Sequence, residues 1–313
     1  MLVSIVVVTY NSAEYLEECL ESIRKQSYNE LELIVTDDCS KDDTVRIAKD
    51  WIVRNKDRFK VAKVLETLKN TGVAGNCNRG LNAVNGIWAK FIAGDDLLAD
   101  EHSIEAYVQA LPREQRIGCV FSDIYQLEEG EKHNVSLKNR DIMFNEGVTV
   151  FEQYKLMIKE NFIPAISAFI YVPAIREVGG YDESIPMCED GVLWINLTKN
   201  GYLLSYINMP LVIYRVHSDS LVGQFHNKIN IRLLEDQIKV LERFKIPGHR
   251  GLWRIHFRWL KQNLVAVCRI SEKHIGLSKV LMFFYKLSLH FVNLMYFEYV
   301  RKKKRLNKVS EKI

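Results

Sequence analysis

The amino-acid sequence predicts an α/β fold, in which a mostly parallel central sheet is flanked by helices and followed by an α-helical C-terminal module. Short β-branched segments alternate with amphipathic helical segments over the first hundred residues, which is typical of a doubly wound sheet. No proline occurs before Pro112, as buried strands prefer. Of the 313 residues, 48% are hydrophobic and 26% are charged, which excludes disordered and fibrous classes.

The first half of the chain repeats a strand followed by a helix. Each strand is a short apolar run of the kind that is buried in parallel sheets. The predicted strands cover residues 4–9, 31–35, 60–65 and 87–93, and one of the helices covers 74–83. We expect Ser12 to cap the helix after the first strand, and Ser40 with Asp43 to form a capping box after the second. Ligands of such sheets bind at the carboxyl ends of the strands.

The second half alternates less clearly and ends in helices. The predicted elements are a strand over 120–125, a polar hairpin or loop over 128–140, a helix over 150–159, a helix that starts at 189 and ends at Gly201, and strands over 202–207 and 211–216. From about residue 227 onward we expect helices, with breaks at 247–248 and near Gly276.

The net charge of +4 conceals a difference between the two ends of the chain. Residues 245–313 contain 16 basic and 3 acidic residues, for a net charge of +13, whereas residues 1–244 have a net charge of −9. Such an asymmetry favours a chain with two functional regions, one of which contacts a polyanion or a membrane. We expect no nucleic-acid partner, because the larger part of the chain is acidic and no recognition motif is present.

The six cysteines are scattered, and no two of them form a C-x-x-C pair. This spacing argues against a disulfide framework and a cysteine zinc site, and it favours a reducing compartment. Met1 leads directly into an apolar run without a basic region or a cleavage site. We therefore expect no secretory signal.

Acidic pairs follow two of the predicted strands, Asp37 with Asp38 and Asp95 with Asp96. Carboxylates at strand ends can hold a hard divalent cation, or one of them can accept from a nucleobase or a ribose hydroxyl. Either pair alone is also compatible with an ordinary turn or helix cap. The absence of a phosphate-binding P-loop and of a Gly-x-Gly-x-x-Gly motif disfavours P-loop NTPases and dinucleotide-binding dehydrogenases.

Five segments together resemble the family-2 glycosyltransferases of the GT-A fold. They are VSIVVVTYN (3–11), DDCSKDDT (37–44), NTG (70–72), FIAGDD (91–96) and ED (189–190). Members of this family are inverting enzymes that transfer a sugar from a nucleotide-sugar to a hydroxyl with a divalent metal, usually Mn²⁺ or Mg²⁺. The resemblance, which extends over residues 3–220, implies this fold and this activity.

The resemblance implies a donor site at the carboxyl edge of the sheet. Thr9 and Tyr10 would line the nucleobase slot, and Asp38 would accept from the base. Asn78 would lie beside the ribose and the diphosphate. Family members usually have an arginine directly before this asparagine, and its absence here leaves open whether Arg79 replaces its contact to the donor.

The resemblance also implies a metal and a catalytic base. Asp96 would bind the cation, with Asp95 at the ribose or in the metal shell, and His217, in the segment RVHSDS, would reach the metal or the diphosphate. Asp190 would take the proton of the acceptor hydroxyl, supported by Glu189. Many members carry Asp-x-Asp-Asp at the metal motif, and the first of these aspartates is absent here. Without the resemblance, Glu189 and Asp190 would be interpreted as acids in the first turn of a helix, where they stabilise the helix dipole. His217 would then be interpreted as an ordinary packed residue.

The C-terminal module combines aromatic and basic residues. Residues 280–300 contain 16 apolar residues in 21, interrupted by Lys286, His290 and Glu298. A charge in mid-span costs about 2.5–3.5 kcal/mol, which favours an amphipathic helix in a membrane interface or against a partner subunit. The segment RKKKR (301–305) follows, and polybasic segments gain about 1 kcal/mol per charge near anionic lipid. A helical hairpin that completes the fold is the structural alternative.

We expect residues 1–225 to form a GT-A catalytic domain, with a nucleotide-sugar and metal half (1–100) and an acceptor half (101–225). Residues 226–313 would form a helical basic module for membrane-surface or homo-oligomer contact. The expected reaction transfers a sugar from a nucleotide-diphosphate sugar, with UDP as the nucleotide, to a saccharide acceptor that is lipid-diphosphate-linked, in capsule, O-antigen or exopolysaccharide synthesis.

We expect a cytoplasmic protein that is peripheral on the inner face of the plasma membrane, held at an anionic surface through 250–313. One alternative is a sugar nucleotidyltransferase, which normally has a glycine-rich basic loop after the first strand, where this chain has TYNS. The other alternative is a non-catalytic, membrane-docked scaffold. The loss of a family motif would support it, and none of these motifs is lost here.

Overall fold

The structure is a computed structural model that describes residues 1–111, 116–145, 147–217 and 230–271, together with Met282 and Tyr285. Its contacts divide the chain into two units. The first unit comprises Met1–Lys138 and Ile163–Gln224, and the second comprises Asn139–Phe162 and Phe225–Ile313.

The first unit is built on one mixed sheet. Within the described residues its strands are β1 (Val3–Thr9), β2 (Leu31–Asp37), β3 (Val61–Glu66), β4 (Trp88–Ala93), β5 (Leu97–Leu98), β6 (Ile117–Glu128), β7 (Glu131–Val135), β8 (Ala168–Tyr171) and β9 (Leu203–Val216). Their order is β3-β2-β1-β4-β8-β6-β9-β5, with β7 paired to β6. Strands β1 to β4 are parallel, as predicted, whereas β8 is antiparallel to β4 and β6.

Helices accompany this sheet and form the second unit. In chain order they are α1 (Leu16–Arg24), α2 (Thr44–Asn55), α3 (Gly72–Ala83), α4 (Ser103–Gln109), α5 (Arg140–Met143), α6 (Val150–Met157), α7 (Val172–Glu177), α8 (Glu189–Lys199), α9 (Ile231–Val240), α10 (Ile246–Gly248) and α11 (Gly251–Ser271). Helices α5, α6 and α9 to α11 belong to the second unit. The predicted α/β class with a helical C-terminal part is confirmed.

Both faces of β1 are buried because a helix packs on each. The apolar side chains of α1 share a core with Ile5 and Val7, and α3 approaches the opposite face at Val6. A Cβ at Gly80 would lie 2.5 Å from Val6 Cγ1, so glycine allows α3 to pack this closely. Burial on both faces explains why β1 is a continuous apolar run in the sequence.

The two predicted helix caps are wrong. Helix α1 begins only at Leu16 and α2 only at Thr44, and neither helix accepts a cap from Ser12 or Ser40. The Ser40 hydroxyl donates instead to Asp37, at the end of β2, and the Ser12 hydroxyl accepts from the backbone N–H of Tyr10. These hydroxyls therefore organise the strand ends, which a local capping pattern does not reveal.

The second half of the sheet differs in detail from the prediction. Where a hairpin or loop was predicted over 128–140, β6 and β7 form a hairpin whose turn lies between Glu128 and Glu131 and whose second strand ends at Val135. The two strands expected over 202–207 and 211–216 are one strand, β9. Its register against β6 shifts between Ile207 and Pro210, because proline has no N–H for the ladder and a bulge absorbs the extra residues. Strand β8 was not predicted.

The second unit has its own apolar core. A π-helical segment (Leu241–Lys245) joins α9 to α10. The break predicted at 247–248 falls at residues 249–250 instead, because Pro247 and Gly248 belong to α10. The core side chains come from α9, the π-helical segment and α11, and include Leu234, Leu241, Phe257, Leu260 and Leu264. Within the described part of the chain, no helix is both long and apolar enough to cross a bilayer.

The compact units differ from the predicted domains in one respect. Residues 139–162, expected in the acceptor half, pack with the C-terminal helices, and Lys155 Nζ donates to Gly248 O at 3.3 Å. The assignment of functions to 1–100, 101–225 and 226–313 stays a prediction. The predicted break near Gly276, the amphipathic segment 280–300 and the basic tail lie outside the described residues, apart from Met282 and Tyr285.

Candidate active site

Strands β1, β2 and β4 end at the same edge of the sheet. Thr9 lies beside Asp37 in the parallel register, and the backbone N–H of Asp38 donates to Thr9 O at 3.0 Å. On the other side of β1, the N–H of Gly94 donates to Val8 O at 3.0 Å. The residues after these three strands therefore meet at one edge, as the spacing of the motifs predicts.

Thr9 and Tyr10 differ in accessibility. Thr9 is buried, and its hydroxyl donates to Asp37 Oδ1 at 3.0 Å. Tyr10 is 51% exposed, so its ring is available to a ligand at this edge. Asn11 follows with a φ of 51°, and its side-chain oxygen accepts from Lys41 N at 2.8 Å. Thr9 thus fixes the end of β2, and Tyr10 offers the surface on which a flat ring could stack.

Asp38 is the buried centre of a hydrogen-bond network. Its carboxylate accepts from the N–H groups of Thr71 and Gly72, at 2.9 and 2.7 Å, and from the Thr71 hydroxyl at 2.7 Å. Arg79 Nη2 lies 3.2 Å from Asp38 Oδ1. A nucleobase N–H would have to share oxygens that already hold the turn at 71–72, where Gly72 has a φ of 80°. The predicted contact of Asp38 to a base stays a prediction.

The neighbouring positions on α3 hold two different loops. Asn78 Nδ2 donates to Tyr181 O at 2.9 Å and to Glu183 Oε1 at 2.8 Å, and its Oδ1 accepts from Tyr181 N. Arg79 donates to Asp37 O at 3.2 Å, in addition to its contact with Asp38. This chain has Cys77 where family members usually have an arginine, and the structure places Arg79, two positions further along α3, beside the buried Asp38.

Asp95 and Asp96 have opposite environments although they are adjacent. Asp96 is 3% exposed, its Oδ1 accepts from Arg215 N at 2.9 Å, and burial followed by the charge of Asp95 raises its pKa well above the usual range. The Asp95 side chain is 27% exposed, and its Oδ2 lies 3.0 Å from His217 Nε2. Only Asp95 therefore presents a carboxylate together with an imidazole.

Gly94 allows this turn to lie close to the first strand. A Cβ at Gly94 would be 2.9 Å from Thr9 Cγ2 and 3.0 Å from Ser12 Cβ. Real Cβ atoms do not approach side chains this closely, so any other residue would displace the turn. Glycine is required here by space, since no positive φ is involved.

Arg215, at the end of β9, holds the acidic turn from a distant part of the chain. Its Nε donates to Asp95 O at 2.9 Å, and its Nη2 lies 2.5 Å from Glu18 Oε2 on α1. The guanidinium carbon lies 4.7 Å from the centre of the Tyr15 ring, which also faces His217 at 4.9 Å. The sequence pattern included Arg215 but gave it no role, and this contact set identifies it as a positioning residue.

Glu189 and Asp190 form the first turn of α8. Both are half-buried, and Asp190 Oδ1 accepts from Gly191 N at 2.6 Å. The buried thiol of Cys77 has its pKa raised by burial and then by the charges of Glu189 and Asp38, so both carboxylates lie near it. The start of α8 therefore faces the same region as the Asp38 network, and a neutral, buried Cys77 has no nucleophilic character.

The chemistry at the edge suits a hard cation with few protein ligands. Among the described residues, no group of three or more His, Cys, Asp or Glu side chains could hold a metal alone. One or two carboxylates completed by substrate phosphates are nevertheless the usual protein share of a Mg²⁺ site. Asp95 and Asp96 are the carboxylates of this turn, and their role as metal ligands, like that of His217, stays a prediction.

The chain belongs to glycosyl transferase family 2, whose sequence profile matches residues 4–176. Among its relatives, the uncharacterized glycosyltransferase EpsJ of Bacillus subtilis is 26% identical over 230 residues, which cover 70% of this chain and 62% of EpsJ. The glycosyltransferase GlyG of Streptococcus pneumoniae is 27% identical over 180 residues, 51% of this chain and 58% of GlyG. The matched part spans less than two thirds of each relative.

Solved structures of glycosyltransferases share the fold. S. aureus TarS 1–349 in complex with UDP-GlcNAc superposes with a TM-score of 0.61 at 18% identity, over 88% of this chain and 74% of that one. The mannosyltransferase PcManGT of Pyrobaculum calidifontis, in complex with GDP-Man and Mn²⁺, has a TM-score of 0.59 at 16% identity, over 97% and 86%. The family and the GT-A fold implied by the sequence are confirmed.

Proposed function

We propose that this protein is an inverting glycosyltransferase that moves a sugar from a nucleotide-diphosphate sugar, a UDP-sugar, to a hydroxyl of a saccharide acceptor. The observation that carries the proposal is the meeting of Tyr10, Asp38 and Asp95 at one edge of a family-2 sheet. UDP-GlcNAc and GDP-Man in the two structural relatives support a nucleotide-sugar donor.

The donor diphosphate would lie at the acidic turn. Asp96, Asp95 and His217 would hold a divalent metal, Mn²⁺ or Mg²⁺, and this metal would supply positive charge to the leaving diphosphate. Asp96 Oδ1 also accepts from the backbone N–H of Arg215, which keeps the turn in place. The Mn²⁺ in the PcManGT complex supports this assignment.

Asp190 would be the base of a single displacement. The acceptor hydroxyl is a weak nucleophile, so a carboxylate has to take its proton as the oxygen attacks the anomeric carbon. Asp190 lies in the first turn of α8, where backbone N–H groups stabilise its charged form, and Glu189 precedes it. One displacement with one base inverts the anomeric centre.

The acceptor would be a lipid-diphosphate-linked saccharide of capsule, O-antigen or exopolysaccharide synthesis, met by a cytoplasmic, peripheral protein at the inner face of the plasma membrane. On α11, Ile255 is 63% exposed and Trp259 is 43% exposed, with the exposed Arg258 between them. An apolar and aromatic stripe with a cation suits an anionic membrane surface, and the same stripe would serve a homo-oligomer. The tail through 313 adds its basic charge.

A donor screen would test the activity. Purified protein is incubated with saccharide acceptors and one nucleotide-sugar at a time, and nucleotide release is measured with Mn²⁺, with Mg²⁺ and with EDTA. We expect release with one UDP-sugar and its loss in EDTA. Asp190→Asn should lower the rate by about 10²–10⁴-fold, as the loss of a general base does.

Asp182→Asn is the matched control, because Asp182 lies in the preceding turn and accepts from Ser184. Transfer that continues at the same rate in Asp190→Asn would refute the assigned base. For the membrane, a chain ending at Phe244 should float less with anionic vesicles than the full chain does.

A further inference from the structure

One face of helix α3 packs against the loop that precedes α8, which we call the 180–188 loop. Gly72 and Gly75 lie on this face, because residues three apart in a helix are neighbours. A Cβ at Gly72 would lie 3.8 Å from Pro186 Cβ, and a Cβ at Gly75 would lie 3.9 Å from Glu183 Cδ. The loop therefore runs directly along the helix, and the two glycines leave space for it.

Asn78 is the next residue on this face, and it holds the loop by three hydrogen bonds. Its Nδ2 donates to Tyr181 O and to Glu183 Oε1, and its Oδ1 accepts from Tyr181 N at 2.8 Å. These partners fix the orientation of the amide, since the reversed amide would place oxygen against oxygen and N–H against N–H. Both hydrogens of the amide nitrogen are therefore engaged within the protein, and neither is available to a ribose or a diphosphate.

Gly180 allows the Asn78 amide to lie this close to the backbone of the loop. It has a φ of 76°, and a Cβ at this position would lie 2.7 Å from Asn78 Oδ1. Real Cβ atoms do not approach an oxygen atom this closely, and residues other than glycine rarely adopt this backbone conformation. Any side chain at position 180 would therefore separate the loop from Asn78.

The 180–188 loop continues without a break into α8. Backbone hydrogen bonds join the two, from Cys188 N to Ile185 O at 3.3 Å and from Val192 N to Cys188 O at 3.1 Å. Ile185 is 1% exposed, so the loop is also held by a buried side chain. Glu189 and Asp190 follow directly as the first turn of α8. A displacement of the loop would therefore move these two carboxylates.

The Tyr181 ring connects the loop to two other parts of the candidate site. Its centre lies 5.5 Å from that of the Phe91 ring on β4, the strand that leads to the acidic turn. Tyr181 is 7% exposed, and burial, then Cys77 and then Glu189 raise the pKa of its hydroxyl well above the usual range. The ring therefore lies against β4 and near the first turn of α8, so the position of the loop affects both.

We propose that Asn78 is a positioning residue for Asp190, the base of the proposed reaction. It holds the 180–188 loop against α3 and thereby sets the place of the Asp190 carboxylate relative to the donor edge. This inference rests on the proposed function, because Asp190 acts as a base only if an acceptor hydroxyl is activated. The base has to lie within hydrogen-bond reach of that hydroxyl, and a displacement of about 1 Å in such an arrangement costs about 10²-fold in rate.

The kinetics of Asn78→Ala distinguish this role from the donor contact that the family resemblance implies. A residue that positions the base acts on kcat, whereas a residue that contacts the ribose or the diphosphate acts on the affinity for the donor. We expect Asn78→Ala to lower kcat for nucleotide release by about 10–100-fold and to bind UDP, in calorimetric titration with Mn²⁺, as the wild type does. Asn55→Ala is the matched control, because Asn55 is also half-buried and donates to Trp51 O at 2.9 Å within α2, and it should change neither quantity.

A reversed pair tests the contact between Asn78 and Glu183. Asn78→Asp places a carboxylate against Glu183 and against Tyr181 O, so it should lower kcat at least as much as Asn78→Ala does. Addition of Glu183→Gln gives this carboxylate a donor again and should raise kcat above that of Asn78→Asp alone. Glu183→Ala, at an exposed position, covers the case in which the variants at position 78 fail to fold, and it should lower kcat by about 2–10-fold, the share of one hydrogen bond.

Hydrogen exchange of the full chain without nucleotide measures the hold on the loop directly. The Tyr181 amide donates to Asn78 Oδ1, so peptides that cover 180–188 should lose protection in Asn78→Ala and keep it in Asn55→Ala. Absence of transfer from every nucleotide-sugar in the wild type would refute the proposed function, and exchange then still tests the loop contact. Unchanged exchange in Asn78→Ala, or weaker UDP binding with an unchanged kcat, overturns the inference.

Discussion

Replacement of Arg215 by methionine should loosen the acidic turn. Methionine keeps much of the side-chain volume but removes the donor to Asp95 O and the ion pair with Glu18. The Arg215 side chain is 15% exposed, so its bond to Asp95 O is worth about 1.5–3 kcal/mol. Glu18 is 59% exposed, which limits the ion pair to about 0–1 kcal/mol, and the contact with the Tyr15 ring adds about 0.5–1 kcal/mol.

We therefore expect Arg215→Met to destabilise the first unit by about 3 kcal/mol and to lower its unfolding midpoint by about 10 °C. Because Asp95 would lose the partner that orients it, the apparent affinity for the divalent metal should fall about 10–100-fold. Thermal unfolding measures the first effect. Nucleotide release as a function of Mn²⁺ concentration measures the second.

Arg116→Met is the matched control in the same unit. Arg116 also pairs with a carboxylate, Glu177 at 2.6 Å, but both side chains are more than half exposed. Its replacement should change the unfolding midpoint much less than Arg215→Met does, and it should leave the metal dependence unchanged. If Arg215→Met and Arg116→Met gave the same midpoint and the same metal dependence, the positioning role of Arg215 would be wrong.

Two further changes test the fold beneath the site. Lys90 is fully buried, donates to Ile166 O and Ala168 O, and has its pKa lowered by burial to about 7. The unfolded chain therefore binds more protons than the folded chain between about pH 7 and 10, so the free energy of unfolding rises with pH in that window by up to about 4 kcal/mol. Lys90→Met should remove this rise, as measured by urea unfolding at several pH values. Gly94→Ala would place a Cβ 2.9 Å from Thr9 Cγ2, so it should cost about 1–3 kcal/mol in thermal unfolding and lower nucleotide release, whereas an unchanged rate would show that the turn tolerates displacement.

The first half of the fold could be predicted because its local signals agree with its tertiary environment. Strands β1 and β2 are buried on both faces, and their centres are apolar runs in the sequence, at residues 5–8 and 33–35. The hydrogen-bond partners of the Ser12 and Ser40 hydroxyls could not be predicted, since these hydroxyls bond to groups at the strand ends rather than to a helix. The local sequence allows such a hydroxyl to bond either to the following helix or to a nearby turn, and the tertiary structure determines which of these bonds forms.

The position of the strand-end acids was predictable, but their hydrogen-bond partners were not. Asp38 and Asp95 were identified as strand-end acids, a position that follows from the sheet alone. Their partners could not be inferred, because Thr71 and Arg215 lie 33 and 120 residues away in the sequence. The grouping of residues 139–162 with the helices at the other end of the chain could not be inferred for the same reason.

The two adjacent aspartates differ in accessibility. Asp96 is 3% exposed, and burial and then the charge of Asp95 raise its pKa well above the usual range, whereas the Asp95 side chain is 27% exposed and lies beside His217. A divalent cation at this turn would favour the charged form of both carboxylates, because a bound cation is the largest local charge and reverses the effect of burial on a nearby acid. The predicted metal ligands therefore stay Asp96, Asp95 and His217. Asp96 Oδ1 also accepts from the backbone N–H of Arg215 at the end of β9, so it links the acidic turn to the residue that precedes His217 by two positions.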